Sequence, residues 1–230
     1  MKNNHGPIII VNFKTYPEST GKKAMELSKI LEQVHKETGI HMVVAPQATD
    51  IFLVSQQVEI PVFAQHIDPQ PQGAHTGHNS AEAVRESGAQ GTLLNHSERQ
   101  LGLLAIEQCI SRARAMRMTS VVCANNAMTS SACAALEPDM IAVEPPELIG
   151  TGIAVSKAKP EVITDTVAKI RSVNADVVIL CGAGISESDD VSSALRLGAQ
   201  GILVSSSIVK AENQRKVASL FANALLLHHE

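Results

Sequence analysis

Short apolar runs alternate with longer stretches of helical period from one end of the chain to the other. The apolar runs read as strands at 8–12, 42–45, 62–65, 92–94, 120–123, 140–143, 177–181 and 202–204. They are built mostly from Val, Ile, Leu, Ala and Met, which suits parallel strands buried on both faces. Residues 18–35 carry Met25, Leu27, Ile30, Leu31 and Val34 at the spacing of a helix face, and Gly39 stops that helix. Further helical stretches fall near 47–57, 79–87, 97–116, 126–137, 160–173 and 186–197, and the last covers roughly 215–227.

Strict alternation of strand and helix implies a parallel sheet. Eight such units suit a closed (β/α)8 barrel, although a typical barrel takes ~250 residues and this chain has 230, so its helices and loops must be trimmed. An open doubly wound sheet is the alternative that periodicity alone leaves standing. No linker-like or low-complexity stretch interrupts the pattern, so residues 1–230 read as a single barrel domain. One internal echo supports the even layout. Gly88-Ala89-Gln90-Gly91 precedes the fourth strand and Gly198-Ala199-Gln200-Gly201 the eighth, each reading as a helix cap, a tight turn and a strand start. Convergence of αβ turns on Gly-rich chemistry would explain it equally well.

Composition narrows the picture. Aromatics are only 2% and Trp is absent, so the core rests on aliphatic side chains. A net charge of -4 without a basic stretch argues against nucleic acid as a partner. No apolar run is long enough to span a bilayer, and the short apolar run after Met1–Pro7 is too brief for a signal peptide. Cys109, Cys123, Cys133 and Cys181 form no Cys-x-x-Cys pair and read as free thiols of a reducing cytoplasm.

In a closed β/α barrel the active site lies at the C-terminal ends of the strands, so the residues after each strand carry the chemistry. Asn12-Phe13-Lys14 follows the first strand, Asn95-His96-Ser97-Glu98 the fourth and Glu144 the sixth. Gly182-Ala183-Gly184 follows the seventh and Ser205-Ser206-Ser207 the eighth. Singly, each has a plain explanation: a solvated lysine, a hydrogen-bonded structural histidine, a turn, a helix cap. Jointly they place a carboxylate, an imidazole, an ammonium and two anion-binding loops on one rim. Glu144 closes an apolar strand and is followed by Pro145-Pro146 and a Gly-rich segment, which suits a base with a lid attached. Ser97-Glu98-Arg99 reads as the opening of a helix, whose positive end would keep the His96 imidazole neutral. His66, Asp68, His75 and His78 share one long loop but show no metal-ligand pattern, and read as surface or interface residues.

Asn12-Phe13-Lys14, Asn95-His96-Ser97-Glu98-Arg99, Glu144-Pro145 with Ile149-Gly150-Thr151-Gly152, and Gly182 with Gly184 resemble the triosephosphate isomerase family in order and spacing across nearly the whole chain. Shortness and the fuller run Glu144-Pro145-Pro146-Glu147-Leu148-Ile149-Gly150 resemble its compact archaeal branch. The resemblance implies cofactor-free, metal-free interconversion of dihydroxyacetone phosphate and D-glyceraldehyde 3-phosphate through an enediolate, in glycolysis and gluconeogenesis. It implies Glu144 as the base, His96 as a neutral electrophile, and Lys14 with Asn12 as stabilisers of negative charge. Phe13 and Ile149 accompany these in substrate binding. Gly150, Gly182, Gly184, Ser205 and Ser206 would bind the phosphate, Glu98 would hold Lys14, and Ser97 would support the site. Residues 145–154 would form the lid.

Two positions depart from the family pattern: Glu147 stands where an aromatic lid-hinge residue is common, and Ser207 where Gly is common in the phosphate loop. Family members pair through the loop after the third strand, so the resemblance implies a homodimer or homotetramer with Thr76 at the inserted tip. Two other functions suit the same barrel: a metal-dependent sugar-phosphate epimerase using the 66–78 loop, and a sugar-phosphate-binding protein without turnover.

Overall fold

The computed structural model describes residues 6–144 and 160–227. Eight parallel strands occur among them: β1 Ile8–Asn12, β2 His41–Ala45, β3 Phe63–Ala64, β4 Gly91–Leu94, β5 Thr119–Ala124, β6 Met140–Val143, β7 Val178–Cys181 and β8 Gly201–Val204. They lie in the order β2-β1-β8-β7-β6-β5-β4-β3. A parallel bridge between Val44 and Val62 joins β2 to the entry of β3, and the Val44 N–H donates to the Pro61 carbonyl at 3.1 Å. The sheet therefore closes on itself, which decides between the closed barrel and the open doubly wound sheet.

The two faces of each strand bury different things. Inward-facing Ile8, Ile10, Val43, Ala45, Phe63, Leu93, Val121, Cys123, Met140, Ala142, Val178, Leu180 and Leu203 fill the barrel. The alternate residues Ile9, Val11, Met42, Val44, Leu94, Val122, Ile141, Ile179 and Ile202 pack outward under the helices. Side chains alternate along a strand. Continuing the inward series past the strand ends lands on Asn12, Gln65, Asn95, Glu144, Gly182 and Ser205, so the strand register itself aims these residues at the mouth.

The outer layer begins with α1, Lys22–Thr38, which buries Ala24, Leu27, Ser28, Leu31 and Val34 and ends where Gly39, at φ 74, donates to the His35 carbonyl at 2.8 Å. Each such leucine contributes roughly 1.5–3 kcal/mol by leaving water. Then come α2 Ile51–Ser55, α3 Ala81–Glu86, α4 Leu103–Ala115, α5 Ala127–Ala134, α6 Pro160–Val173, α7 Ser188–Arg196, α8 Ser206–Val209 and α9 Gln214–Leu226. An ion pair between Arg215 and Glu37 ties α9 to α1, the last helix beside the first.

The two Gly-Ala-Gln-Gly runs adopt equivalent turns. Gly88 and Gly198 sit at φ 100 and 102. Ala89 and Ala199 donate back to Val84 and Ala194, each at 3.2 Å, while Gln90 donates to Val62 at the entry of β3 and Gln200 to Ile179 of β7. Gly91 and Gly201 then enter strands so close to their neighbours that an added Cβ would meet Thr119 O at 2.7 Å and Ile8 O at 2.4 Å. Close strand approach thus selects glycine at both positions.

The stretch read as a helix over 97–116 is shorter in the structure, because α4 begins only at Leu103. Arg99 donates to the His96 carbonyl at 2.7 Å, which closes a turn, and Asn95 Oδ1 accepts the Leu101 N–H at 2.8 Å. Those bonds keep 97–102 out of a helix, and Gly102, in extended conformation, is the N-cap. Ser97-Glu98-Arg99 therefore opens a turn and not a helix.

Candidate active site

Asn12, the last residue of β1, is buried, and its Oδ1 accepts the Lys14 N–H at 3.0 Å. Gln65 Nε2 donates to the Lys14 carbonyl and to the Ala45 carbonyl, each at 2.9 Å. Gripped on both sides, Lys14 takes φ 48, in the left-handed region that costs a side-chain-bearing residue roughly 1–3 kcal/mol. The reward is placement: Lys14 Nζ reaches into the mouth and pairs with Glu98 Oε1 at 2.7 Å.

Asn95 makes a second left-handed turn at φ 58. Its side chain spans the gap, donating to the Cys123 carbonyl at 2.9 Å while accepting from Leu101. The next residue, His96, is thereby turned into the barrel mouth and is only 7% exposed. The Glu98 N–H points at His96 Nδ1 at 3.2 Å, so Nδ1 is an acceptor and the ring proton sits on Nε2. Burial first, and the Lys14 charge second, hold the imidazole below its ordinary pKa, against a smaller opposing pull from Glu98. The neutrality expected from a helix end comes instead from burial, a nearby ammonium and a turn amide.

His96 Nε2 stands 3.7 Å from Glu144 Oε2. Glu144 is 4% exposed, and Oε2 is buried without a hydrogen-bond partner. Burial pushes its carboxyl up to about 7, opposed by a Cys123 hydrogen bond and Lys14. A buried oxygen with no partner is uncommon in a settled fold and marks a group that waits for a reactant. Gly182 supplies the room: a Cβ there would come within 2.5 Å of Glu144 Cγ and 2.8 Å of Oε1.

Three openings meet at this point. A cavity of about 330 Å³ is lined by Asn12, Lys14, His96, Gly182, Gly184 and Ser205 to Ser207, with Tyr16 and Ser186 in its wall. Ser205 Oγ is buried without a partner. Asp190 accepts the Ser186 and Glu187 N–H groups, each at 2.9 Å, and fixes the loop after β7 at this wall. Glu144 borders a smaller cavity of about 160 Å³ beside Asn95, Ser97 and Cys123. On the other side of Lys14 and His96, a third opening of about 300 Å³ is lined by Gln65, His66, Asn79, Glu98 and Arg99.

Lys14, Asn12, His96, Glu144, Glu98, Gly182, Gly184, Ser205 and Ser206 therefore converge, with Ser97 beside the base. Phe13 does not: its ring is fully buried in the outer core, because it falls on the outward parity between Asn12 and Lys14. Thr76 sits in an exposed loop and lines none of the three openings. Ile149, Gly150, Glu147 and the lid stretch 145–154 lie outside the described residues. Gln65, Tyr16 and Cys123 were not among the site residues expected from the sequence. Gln65 and Cys123 were accessible to it, since both continue inward series, whereas nothing in the sequence marks Tyr16.

Comparison with known proteins agrees with this geometry. The sequence profile of the family described as triosephosphate isomerase matches residues 7–223. The chain belongs to the triosephosphate isomerase family. It is 56% identical over 209 residues to a triosephosphate isomerase of Methanothermobacter thermautotrophicus, covering 91% of each chain. Over 210 residues it is 52% identical to that of Methanothermus fervidus, covering 91% of this chain and 95% of the relative. The Methanocaldococcus jannaschii relative is also 52% identical, over 90% of this chain and 94% of its own. These triosephosphate isomerases are archaeal, in keeping with the compact-branch features of the sequence.

Proposed function

We propose that this chain interconverts dihydroxyacetone phosphate and D-glyceraldehyde 3-phosphate in glycolysis. The observation that carries the proposal is the pairing of a buried carboxylate, one oxygen of which has no partner, with a neutral imidazole across 3.7 Å, the imidazole lining a cavity of about 330 Å³. Glu144 removes a proton from the carbon beside the substrate carbonyl. The electron pair left behind forms the enediolate, and the former carbonyl oxygen takes up the charge. Its stabilisers are the His96 Nε2–H and the Lys14 ammonium, with Asn12 alongside. Glu144 then returns the proton to the adjacent carbon, while the hydroxyl proton passes from one enediolate oxygen to the other by way of His96 Nε2, so that the carbonyl is restored at the first carbon. A base titrating near 7 suits this work, since about half of it is ionised at neutral pH and that form is a far stronger base than a carboxylate in water.

The phosphate belongs at the other end, against Gly184 and the loop opening α8. The loops after the seventh and eighth strands commonly bind phosphate in such barrels. The Ser206 and Ser207 amides precede Ile208, whose N–H donates back to the Ser205 carbonyl at 3.1 Å, and Ser205 Oγ offers a buried hydroxyl. For Ile149 and Gly150 a phosphate role rests on the family resemblance alone. The epimerase reading finds less support. Among the described residues no group of three or more His, Cys, Asp or Glu side chains is placed to hold a metal. His66 pairs with Asp68 at 3.0 Å, and His75 meets His78 edge-on at 5.8 Å.

The assembly we propose is a homodimer or homotetramer. Residues 71–78, with Thr76 among them, are all exposed, and the opening beside Lys14, Gln65 and Arg99 is a receptor for such a loop from a second copy. A cytoplasmic setting fits four cysteines that are all unpaired and buried. No described helix is long and apolar enough to cross a membrane. A coupled assay on glyceraldehyde 3-phosphate tests the reaction. Wild type should turn over without added cofactor, and Glu144→Gln should lose at least ~10²-fold in kcat. Equal turnover by the two proteins would remove Glu144 as the base.

A further inference from the structure

The charge balance around the mouth leaves the substrate's phosphate without an obvious attractant. A phosphate monoester carries close to two negative charges at neutral pH. Among the described residues at the reacting end, the Lys14 ammonium is already held by Glu98 at 2.7 Å and the Arg99 guanidinium stands 3.5 Å from Asp68, while Glu144 adds a further carboxylate. An incoming dianion thus meets cations that each stand beside a carboxylate near the chemistry.

Lys210 stands at the opposite end. It is the C-cap of α8, whose Ser206 and Ser207 line the cavity, so the chain itself carries it to the phosphate end. Its ammonium lies over the Tyr16 ring, 5.5 Å from the centroid, and Tyr16 is part of the cavity wall. Among the described residues Lys210 forms no ion pair. A lysine head on a flexible four-carbon stem ordinarily wanders through solvent. The electron-rich ring face restrains it without neutralising its charge, as a carboxylate would.

We propose that Lys210, parked on Tyr16, is a specificity-determining residue that draws the phosphate dianion to the mouth and favours phosphorylated over phosphate-free substrates. This rests on placing the phosphate at the Gly184 and Ser205–Ser207 end. Lys210 is exposed, so its field is screened over roughly 10 Å at 0.1 M salt. Its contribution therefore falls on encounter, and on kcat/KM measured well below saturation, and not on the proton transfer.

The test measures kcat/KM of wild type, Lys210→Met and Lys210→Arg at ionic strengths of about 0.02 and 0.2 M. The substrates are glyceraldehyde 3-phosphate and D-glyceraldehyde, with inorganic phosphate as a competing ligand. Lys210→Met should lower kcat/KM for the phosphorylated substrate roughly 3- to 10-fold at low salt, with the gap narrowing at high salt and kcat nearly unchanged. Lys210→Arg should restore it, and the loss on D-glyceraldehyde should be much smaller. Equal losses on both substrates, or no loss at low salt, would overturn the proposal. If inorganic phosphate fails to compete even in wild type, the placement of the dianion is wrong and the proposal goes with it. If it competes equally against wild type and Lys210→Met, the placement survives and the role of Lys210 does not.

Discussion

Replacing Gly182 with alanine tests the geometry of the base without touching it. The backbone at Gly182 is no obstacle, since its φ lies outside the range that demands glycine, and its N–H would keep the bond to the Val143 carbonyl at 3.0 Å. The obstacle is Glu144. The new methyl would sit 2.5 Å from Cγ and 2.8 Å from Oε1, whereas ordinary contact begins at 3.4 Å. Taking 2.5 from 3.4 leaves about 0.9 Å that the side chain must yield, and the carboxylate swings with it. Misplacement of a reacting group by about 1 Å costs on the order of 10²-fold in rate. We therefore expect Gly182→Ala to lose roughly 10²-fold in kcat, measured in the coupled assay. The folded state should persist, because the neighbour that yields is a side-chain end and not backbone; circular dichroism and a thermal melt check this. A well-folded Gly182→Ala protein with kcat within about twofold of wild type would refute the claim that the position of the Glu144 carboxylate limits the rate.

Glu144→Gln should exchange activity for stability. A carboxyl carried from 4.5 to about 7 costs the native state roughly 3 kcal/mol once ionised in both states. That cost is absent below pH 4.5 and complete above about 7, so the variant should melt higher than wild type at pH 8 but not at pH 4. The same group sets the acid limb of wild-type kcat/KM, which should fall as pH drops through about 7; an acid limb near 4.5 would place the base in water. Gln65→Leu removes both grips on the Lys14 and Ala45 carbonyls and should cost roughly 2 kcal/mol in denaturant unfolding, with about a tenfold loss in kcat/KM. Unchanged unfolding and kinetics would make Gln65 a bystander. Thr76→Arg should shift sedimentation of an assembled wild type toward the 24.4 kDa of one chain, and a monomeric wild type at micromolar concentration would remove the assembly proposal.

Strand positions were readable from sequence because buried parallel strands are nearly continuous aliphatic runs. Boundaries are unchanged for β1 and β6 and moved by one residue for β2, β4, β7 and β8. The chief error of secondary structure, over 97–102, has a physical cause. Asn95 uses its side chain to take the Leu101 N–H, a bond that competes with helix formation and leaves no trace in apolar periodicity. That error also misassigned the origin of His96 neutrality. Parity explains which site residues could be found: Asn12, Glu144 and Gly182 continue inward series, and Phe13 does not. Tyr16 escaped because it reaches the cavity from a loop, where no period constrains side-chain direction. The pKa of Glu144 was equally hidden, since it depends on the depth of burial and on Cys123 of the adjoining strand β5, both properties of the assembled sheet.

The same strands that hold the barrel together also carry its least comfortable residues, and they do so in separate layers. On β1 the inward series runs Ile8, Ile10, Asn12; on β6 it runs Met140, Ala142, Glu144; on β7 it runs Val178, Leu180, Gly182. The lower members are dry aliphatic packing, where truncation of an Ile or Leu to Ala costs roughly 2–5 kcal/mol. The top members are a carboxylate with one buried oxygen left unpartnered, an asparagine tethering a strained lysine and a glycine kept bare for its neighbour. Each of these lowers stability relative to a side chain chosen for packing, which is the expected pattern where local rules yield to chemistry. Stability and activity should therefore separate by depth along a single strand. Leu180→Ala should lower the melting temperature with the surviving folded enzyme still competent, whereas Gly182→Ala, one inward position further on, should spare the melt and remove the turnover. A loss of both properties together at both positions would mean that the mouth is not independent of the packed layer beneath it.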